Sequence, residues 1–224
     1  MIDQIKLGHD SPLPKTFSQV VLIGNSYGSV VIENILQRYP NDVSKAILTG
    51  YSKGGLESWP GITLVDPAPA ALAIPSRFGN LSSGYLTTNS SSGRRGAYYG
   101  GMPNVVYDAN IFAVDEQRRD VVSLGQFLSN YLDGTVVASD YKGRVLVLTG
   151  EEDYAFCGPG NPSLGPAKCG KLLPDTKTIF PAADYNWYSV ANTGHSNPFH
   201  YSRFETFAVA HEFIAGASFS KTGE

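Results

Sequence analysis

The chain has 224 residues, enough for one large domain or two small ones, and its 42% of hydrophobic residues excludes global disorder. With 17 Lys and Arg against 20 Asp and Glu, the net charge is -3, so the basic footprint of a protein that binds nucleic acid or anionic membranes is absent. No apolar run of the sequence approaches the roughly 18 residues that a membrane-spanning helix needs.

The first predicted elements are a strand, a tight turn, a helix and a second strand. Residues 18–23 are a short apolar run rich in β-branched side chains, typical of a strand buried on both faces of a parallel sheet. The helix after the turn at 24–28 carries Val31, Ile35 and Tyr39 on one face, with Ile32 and Leu36 beside them. The next strand follows at 46–49, so the pattern predicts one βαβ unit.

Residues 51–143 differ in character, because they contain much of the Gly, Ser, Asn, Pro and Tyr of the chain. Loops and short helices are expected up to residue 115. One helix is then predicted over 115–132, ended by Asp133-Gly134. Its buried face would hold Val121, Leu124, Leu128 and Tyr131. An insertion this long between sheet strands indicates a lid, so we predict a core of 1–65 and 143–224 with a cap at 66–142.

The C-terminal part returns to sheet-like patterns. Strands are predicted at 144–148 and 187–191, and a last helix is expected to start with Asn197 as N-cap and Pro198 as its first residue. Gly216 ends that helix. Its predicted buried face contains Phe204, Phe207, Ala208, His211 and Ile214.

The turn Gly24-Asn-Ser-Tyr-Gly28 has the form GxSxG between a strand and a helix, which is the context of a nucleophile elbow. In such an elbow, Ser26 is held above the sheet, and the Tyr27 N–H at the helix N-terminus provides half of an oxyanion hole. An ordinary Gly/Ser turn between a strand and a helix is the alternative.

A serine nucleophile needs a base, and four histidines are available. His195 follows a predicted strand and therefore lies at the same sheet edge as Ser26. His200 and His211 fall in or near the last helix, where a surface or core role is expected. His9 precedes the first strand, at its far end.

The base in turn needs a carboxylate to orient it. Asp153 follows the strand at 144–148, and the order Ser26, Asp153, His195 is the order of an α/β-hydrolase triad. Asp66, which also follows an extended run, is the second candidate for the acid. Glu151 and Glu152 are expected to be solvated.

Two cysteines, Cys157 and Cys169, flank a Gly- and Pro-rich loop. They form either a disulfide, which needs an oxidising compartment, or two free buried thiols. The glycosylation sequons at Asn80 and Asn89 favour secretion, whereas residues 1–10 do not have the pattern of a signal peptide. The sequence leaves the compartment open.

These motifs resemble the α/β-hydrolase superfamily, and most of all fungal members with a cap inserted after the sixth strand. The segments that match are 20–28, 84–88, 145–153 and 193–195, and the loop between the cysteines also looks like that group. The resemblance implies an α/β fold with a mostly parallel sheet, a nucleophile elbow and an inserted cap.

The sequence departs from that family before the elbow. In the family the elbow follows the fifth strand, whereas here it follows the first strand, and the HG-type loop that donates the second oxyanion N–H is missing. We therefore expect a partial fold, truncated at its N-terminal side. The strand at Val20–Ile23 would then be an open apolar edge, which predicts aggregation or a homodimer.

The predicted function is a serine hydrolase that cleaves a small apolar ester or related acyl substrate. The alternative is a catalytically inactive or truncated binding module of the same fold. The sequence contains no HExxH, GxGxxG or P-loop motif, so we expect neither a metal nor a cofactor.

Overall fold

The computed structural model describes residues 2–7, 15–53, 65–100, 106–132, 136–158, 167 and 169–223. The strands in this part of the chain are β1 (Val21–Asn25), β2 (Lys45–Thr49), β3 (Pro67–Pro69), β4 (Tyr85–Thr88), β5 (Val122–Ser123), β6 (Arg144–Gly150), β7 (Asp184–Val190) and β8 (Ser220–Thr222).

The helices alternate with these strands. They are α1 (Ile2–Leu7), α2 (Tyr27–Arg38), α3 (Ala70–Ala73), α4 (Pro75–Phe78), α5 (Ser91–Tyr99), α6 (Ala109–Arg118), α7 (Leu124–Leu132), α8 (Tyr154–Cys157), α9 (Cys169–Asp175) and α10 (Arg203–Ala215). Short 3-10 turns lie at Thr176–Ile179 and Asn197–Phe199. No helix of the described segments is both long and apolar enough to cross a bilayer.

The main sheet of the described residues has five strands in the order β1-β2-β6-β7-β8, and every neighbouring pair is parallel. Strand β6 lies at its centre, and its residues from Val145 to Gly150 are all buried. A continuous apolar run suits this position, because helices cover both faces of a parallel sheet. The predicted α/β class with a mostly parallel sheet is confirmed.

Side chains alternate along these strands and supply two cores. Ala46 and Leu48 of β2 face one core, where α2 contributes Leu36 and α9 contributes Leu173. Ile47, between them, faces the second core, which α10 closes with Val209 and Phe213. The period of two therefore gives the sheet two apolar faces, each covered by helices.

A second, antiparallel sheet lies between β2 and β6 in the chain, in the order β3-β4-β5. It was expected as loops and short helices, and helices α3 to α7 do surround it. All of these elements fall within residues 66–142. The division of the chain into a core and a cap stays a prediction.

The single helix predicted over 115–132 is wrong, because α6 ends at Arg118 and α7 begins at Leu124. At the break, backbone carbonyl oxygens accept hydrogen bonds from side chains of other elements. The Arg77 guanidinium donates to the Arg119 carbonyl oxygen at 2.8 Å, and the Thr87 hydroxyl donates to the Asp120 carbonyl oxygen at 3.0 Å. Strand β5 then pairs with β4. Leu124 and Leu128, predicted as buried, are exposed. The predicted stop at 133–134 lies outside the described residues.

The buried face predicted for the last helix is wrong, and the apolar residues of α2 are buried only in part. In α2 the buried apolar side chains include Ile32 and Leu36, whereas Val31 and Tyr39 are exposed. In α10 the buried residues are Thr206, Val209 and Phe213, so the predicted face is out of phase. The last helix also starts later than predicted, because Asn197–Phe199 is a separate 3-10 turn. Gly216, with φ of 116°, ends it as expected.

The first strand starts at Val21 instead of Ser18, because the pairing of β1 with β2 begins between Val21 and Lys45. Strand β1 is the last strand on its side of the described sheet, and its Ile23 side chain is 61% exposed. Among the described strands β1 therefore forms one edge of the main sheet, and the open apolar edge stays a prediction. Strand β8, at the opposite edge, was not predicted.

Candidate active site

Ser26 occupies a strained turn between β1 and α2. Its φ of 55° and ψ of -124° lie outside the regions that residues other than glycine ordinarily adopt. The Ser26 N–H donates to the backbone carbonyl oxygen of Thr49 in β2 at 3.0 Å, which connects the turn to the sheet. A Cβ on Gly24 would lie 2.6 Å from the Gly28 carbonyl, so the close approach of strand and helix requires glycine at position 24. No described atom crowds a Cβ on Gly28.

His195 and Asp153 form a buried pair at the same end of the sheet. The His195 Nδ1 and Asp153 Oδ2 atoms are 2.9 Å apart, and the two residues are only 2% and 0% exposed. The second carboxylate oxygen of Asp153 accepts the Phe156 N–H at 3.0 Å, as the N-cap of α8. One carboxylate therefore orients the imidazole while the start of a helix fixes the carboxylate.

Aromatic rings contact the imidazole of His195. The Phe156 ring stacks on it with centroids 5.5 Å apart and planes 4° apart, and the Tyr98 ring lies 5.4 Å away. Burial raises the pKa of Tyr98 further above its ordinary value, so its phenol is neutral beside the imidazole. These contacts restrict the imidazole to one orientation.

Ser26 and His195 line one cavity of about 180 Å³. The other lining residues are largely apolar and come from both parts of the chain: Tyr27, Val65, Tyr98, Val122, Gln126, Phe127, Ala155 and Phe156. Within the described segments, the Ser26 hydroxyl makes no hydrogen bond, including to His195. Such contacts are often long in unliganded sites and tighten when substrate binds.

Tyr27 begins α2, so its N–H belongs to the first turn of the helix and has no partner within that helix. In the described part of the chain, this amide donates to no acceptor. It lies beside Ser26 at the positive end of the helix, where a developing oxyanion would be stabilised. The Tyr27 hydroxyl is 3.1 Å from the Ser129 hydroxyl of α7, which connects the elbow helix to the inserted segment.

No protein-family model matches the sequence, and no curated protein matches it. Similar solved structures exist, and one of them is an α/β-hydrolase fold protein from Chitinophaga pinensis with a TM-score of 0.50 and 11% identity. The match covers 87% of this chain and 64% of that one. The chain has the α/β-hydrolase fold.

Two further structures agree with this assignment. Tomato methylketone synthase I, complexed with 2-tridecanone, matches with a TM-score of 0.58 and 10% identity, over 89% of this chain and 72% of its own. A methylesterase from Arabidopsis matches with a TM-score of 0.53 and 12% identity, over 91% and 72%. The chain thus spans about two thirds of the length of these proteins, and at this identity the likeness establishes the fold alone.

Among the described residues, no other predicted candidate forms a hydrogen bond with His195 or lines the cavity of Ser26. Asp66, the second candidate for the acid, accepts the Asn89 N–H with its backbone oxygen at 2.8 Å, and the carboxylate at His195 belongs to Asp153. His211 is exposed on α10, whereas His200 is fully buried. Glu151 is exposed as expected. His9 lies outside the described residues.

The disulfide alternative for the two cysteines is confirmed, since Cys157 and Cys169 are bonded. The bond connects the end of α8 to the start of α9, and the Cys169 sulfur lies 4.0 Å from the Asp153 carbonyl oxygen. It therefore restrains the segment that presents the Asp153 carboxylate. In the segments that the structure describes, no group of three or more His, Cys, Asp or Glu side chains could hold a metal ion.

Sequence reasoning missed three residues that shape the site. Tyr98 and Phe156 contact the imidazole, and Gly50 at the end of β2 lies so close that an added Cβ would be 2.9 Å from His195 Nδ1. Gly50 also has a φ of 54°. Its position directly after a strand that neighbours the elbow strand is a signal that could have identified it.

Proposed function

We propose that the protein is a serine hydrolase that cleaves an ester or a related acyl compound through Ser26, His195 and Asp153. The observation that supports this most is the buried His195–Asp153 pair, 2.9 Å apart, beside a cavity that Ser26 also lines. The strained backbone of Ser26 adds to it, because such strain is concentrated at functional sites.

The proposed reaction follows from these groups. The Ser26 oxygen attacks the substrate carbonyl carbon while His195 Nε2 accepts the hydroxyl proton, and Asp153 stabilises the imidazolium through Nδ1. The Tyr27 N–H donates to the oxyanion. When the tetrahedral intermediate breaks down, His195 gives its proton to the leaving alcohol, and an acyl-enzyme remains. Water, deprotonated by His195, then releases the acid and restores Ser26.

The cavity favours a small apolar substrate. Its volume of about 180 Å³ is below the usual range for drug-sized ligands. The side chains of Val65, Val122 and Phe127 give it apolar walls. A methylesterase is among the proteins of similar fold, and the proposed ester substrate belongs to the same broad class.

We further propose that residues 66–142 act as a cap over this cavity. Tyr98, Val122, Gln126 and Phe127 line it from that segment. The Tyr27–Ser129 contact would hold α7 over the elbow. In this arrangement the cap selects the substrate, and the core supplies the chemistry.

The test uses a fluorophosphonate probe, which labels an activated serine covalently. Wild type is expected to be labelled and Ser26→Ala is not. The control is Ser18→Ala, which removes an exposed serine at the same end of the chain and should label like wild type. Equal labelling of wild type and Ser26→Ala would remove the proposal.

A second measurement tests the base. His195→Ala should lower the turnover of short p-nitrophenyl esters by about 10⁴-fold or more. Unchanged turnover would assign the base elsewhere. A folded wild type that is neither labelled nor active on these esters would favour the alternative function, an inactive binding module.

A further inference from the structure

We infer that His200 is a positioning residue for His195. As a neutral imidazole protonated on Nδ1, His200 binds Gly194 and Ser196, the residues on either side of His195. This inference rests on the proposed function. His200 is not itself placed to touch substrate, because it is fully buried and is not among the residues that line the cavity of Ser26.

Two hydrogen bonds carry the argument. The Gly194 N–H donates to His200 Nε2 at 3.1 Å, and His200 Nδ1 lies 3.0 Å from the Ser196 carbonyl oxygen. A backbone N–H can only donate, so Nε2 must be unprotonated, whereas a carbonyl oxygen can only accept, so Nδ1 must carry the proton. One neutral tautomer therefore satisfies both contacts, and the residue between these two anchors is His195.

Other contacts fix the same loop to its surroundings. The Ser196 N–H donates to the backbone carbonyl oxygen of Tyr98 at 2.9 Å. With its amide nitrogen directed at the loop, Asn197 lies 3.0 Å from the Gly194 oxygen and 3.2 Å from the His195 oxygen. His200 differs from these partners because it binds both flanks of His195 with one rigid ring. A change at His200 should therefore move the imidazole of His195 more than it changes the overall fold.

Burial of His200 opposes its protonation and outweighs its contacts with the backbone of Ser196 and Tyr99, which favour it. The rings of Tyr99 and Tyr107 pack against it, with centroids 5.5 and 5.9 Å away, and the Arg203 guanidinium reaches its carbonyl oxygen at 3.4 Å. Asp115, which accepts a hydrogen bond from the Tyr99 hydroxyl, is paired with Arg94. Burial lowers the pKa of His200, and protonated Nε2 would oppose the Gly194 N–H.

The sign of the pH effect follows from this lowered pKa. The unfolded histidine titrates near about pH 6.5, so above that value both states are neutral. As the pH falls, the unfolded chain takes up the proton first, and the stability that neutral His200 contributes is lost down to its folded pKa. Below that pKa the imidazolium cannot accept the Gly194 N–H, so the contact of His200 with the residue before His195 is lost.

The first test compares three substitutions at position 200. His200→Phe keeps a ring but removes both hydrogen bonds, His200→Asn keeps a donor for the Ser196 oxygen, and His200→Gln keeps an acceptor for the Gly194 N–H. We expect His200→Phe to lower kcat on p-nitrophenyl esters by about 10 to 100-fold with KM within about twofold, as for a misplaced catalytic group. The Asn and Gln variants should recover part of that loss. His211→Phe, on an exposed histidine, is the matched control.

The second test reads the tautomer without any activity. In ¹⁵N-labelled Ser26→Ala protein, the NMR shifts of His200 should show a protonated Nδ1 and a bare Nε2 at neutral pH, and a pKa below the ordinary histidine value of about 6.5. A proton on Nε2, or a His200→Phe variant that changes thermal stability but leaves kcat intact, would overturn the inference. If the wild-type enzyme is unlabelled and inactive, the proposed function fails, and the NMR result still tests the tautomer.

Discussion

Gly50→Ala should uncouple the candidate base from its carboxylate without touching either residue. An added Cβ would lie 2.9 Å from both Nδ1 and Cε1 of His195, whereas ordinary contacts begin at 3.4 Å. The imidazole or the Gly50 backbone would therefore have to move, by 0.5 Å to restore an ordinary contact. The atom displaced is the nitrogen that lies 2.9 Å from Asp153.

Two effects set the magnitude. Alanine at the φ of 54° that Gly50 adopts costs about 1–2 kcal/mol of stability, which lowers Tm by roughly 2–8 °C in a chain of this size. Misplacing a catalytic group by a fraction of an ångström to an ångström lowers the rate by up to about 100-fold. We therefore expect a folded variant whose kcat falls by about 10 to 100-fold, which is much more than its moderate loss of stability explains.

The assay measures probe labelling of Ser26, ester turnover and thermal unfolding on the same preparations. Gly125→Ala is the matched control, because this exposed glycine in α7 has no described atom within 4 Å of an added Cβ. Alanine is favoured in a helix by up to about 1 kcal/mol, so this control should be active and slightly more stable. A Gly50→Ala protein with wild-type kcat would refute the reasoning.

Two further predictions concern stability and assembly. Replacing Cys157 and Cys169 by serine should cost about 3 kcal/mol in urea unfolding and slow ester turnover, because the bond closes a loop with a sequence separation of 12 beside Asp153. An unchanged unfolding midpoint would contradict this. We also predict a homodimer through the edge of β1, which Ile23→Lys should convert to a monomer in light scattering after gel filtration; a monomeric wild type would show that prediction to be wrong.

The elbow was predictable because its determinants are local. A short apolar strand, a GxSxG turn and a helix specify the turn within a few residues, and the structure gives Ser26 the strained φ and ψ that such a turn requires. The pairing of His195 with Asp153 was predictable for a different reason: both residues follow strands of one parallel sheet, so their loops meet at one edge.

The contacts that refine the site were not predictable in the same way. Tyr98 comes from α5, in a segment whose sheet and helices gave weak patterns, and its ring meets His195 only through tertiary packing. The role of His200 depends on its ring reaching back to Gly194 and Ser196, which no spacing in the sequence specifies. The sequence predicts a surface or core role for His200, and its two hydrogen bonds depend on the tertiary structure.

One physical reason explains why apolar side chains of α2 and α10 are exposed. Periodicity identifies which residues share a face, but it does not say whether another layer covers that face. Val31 of α2, Phe207 of α10 and Ile23 of β1 are 44%, 46% and 61% exposed, and β1 is the last strand on that side of the described sheet. Apolar rows that point towards the sheet centre are buried, as Leu36 and Phe213 are. The apolar side chains near β1 have no covering layer within the described residues. Their burial therefore depends on where the sheet ends, which the apolar pattern of a single helix does not specify.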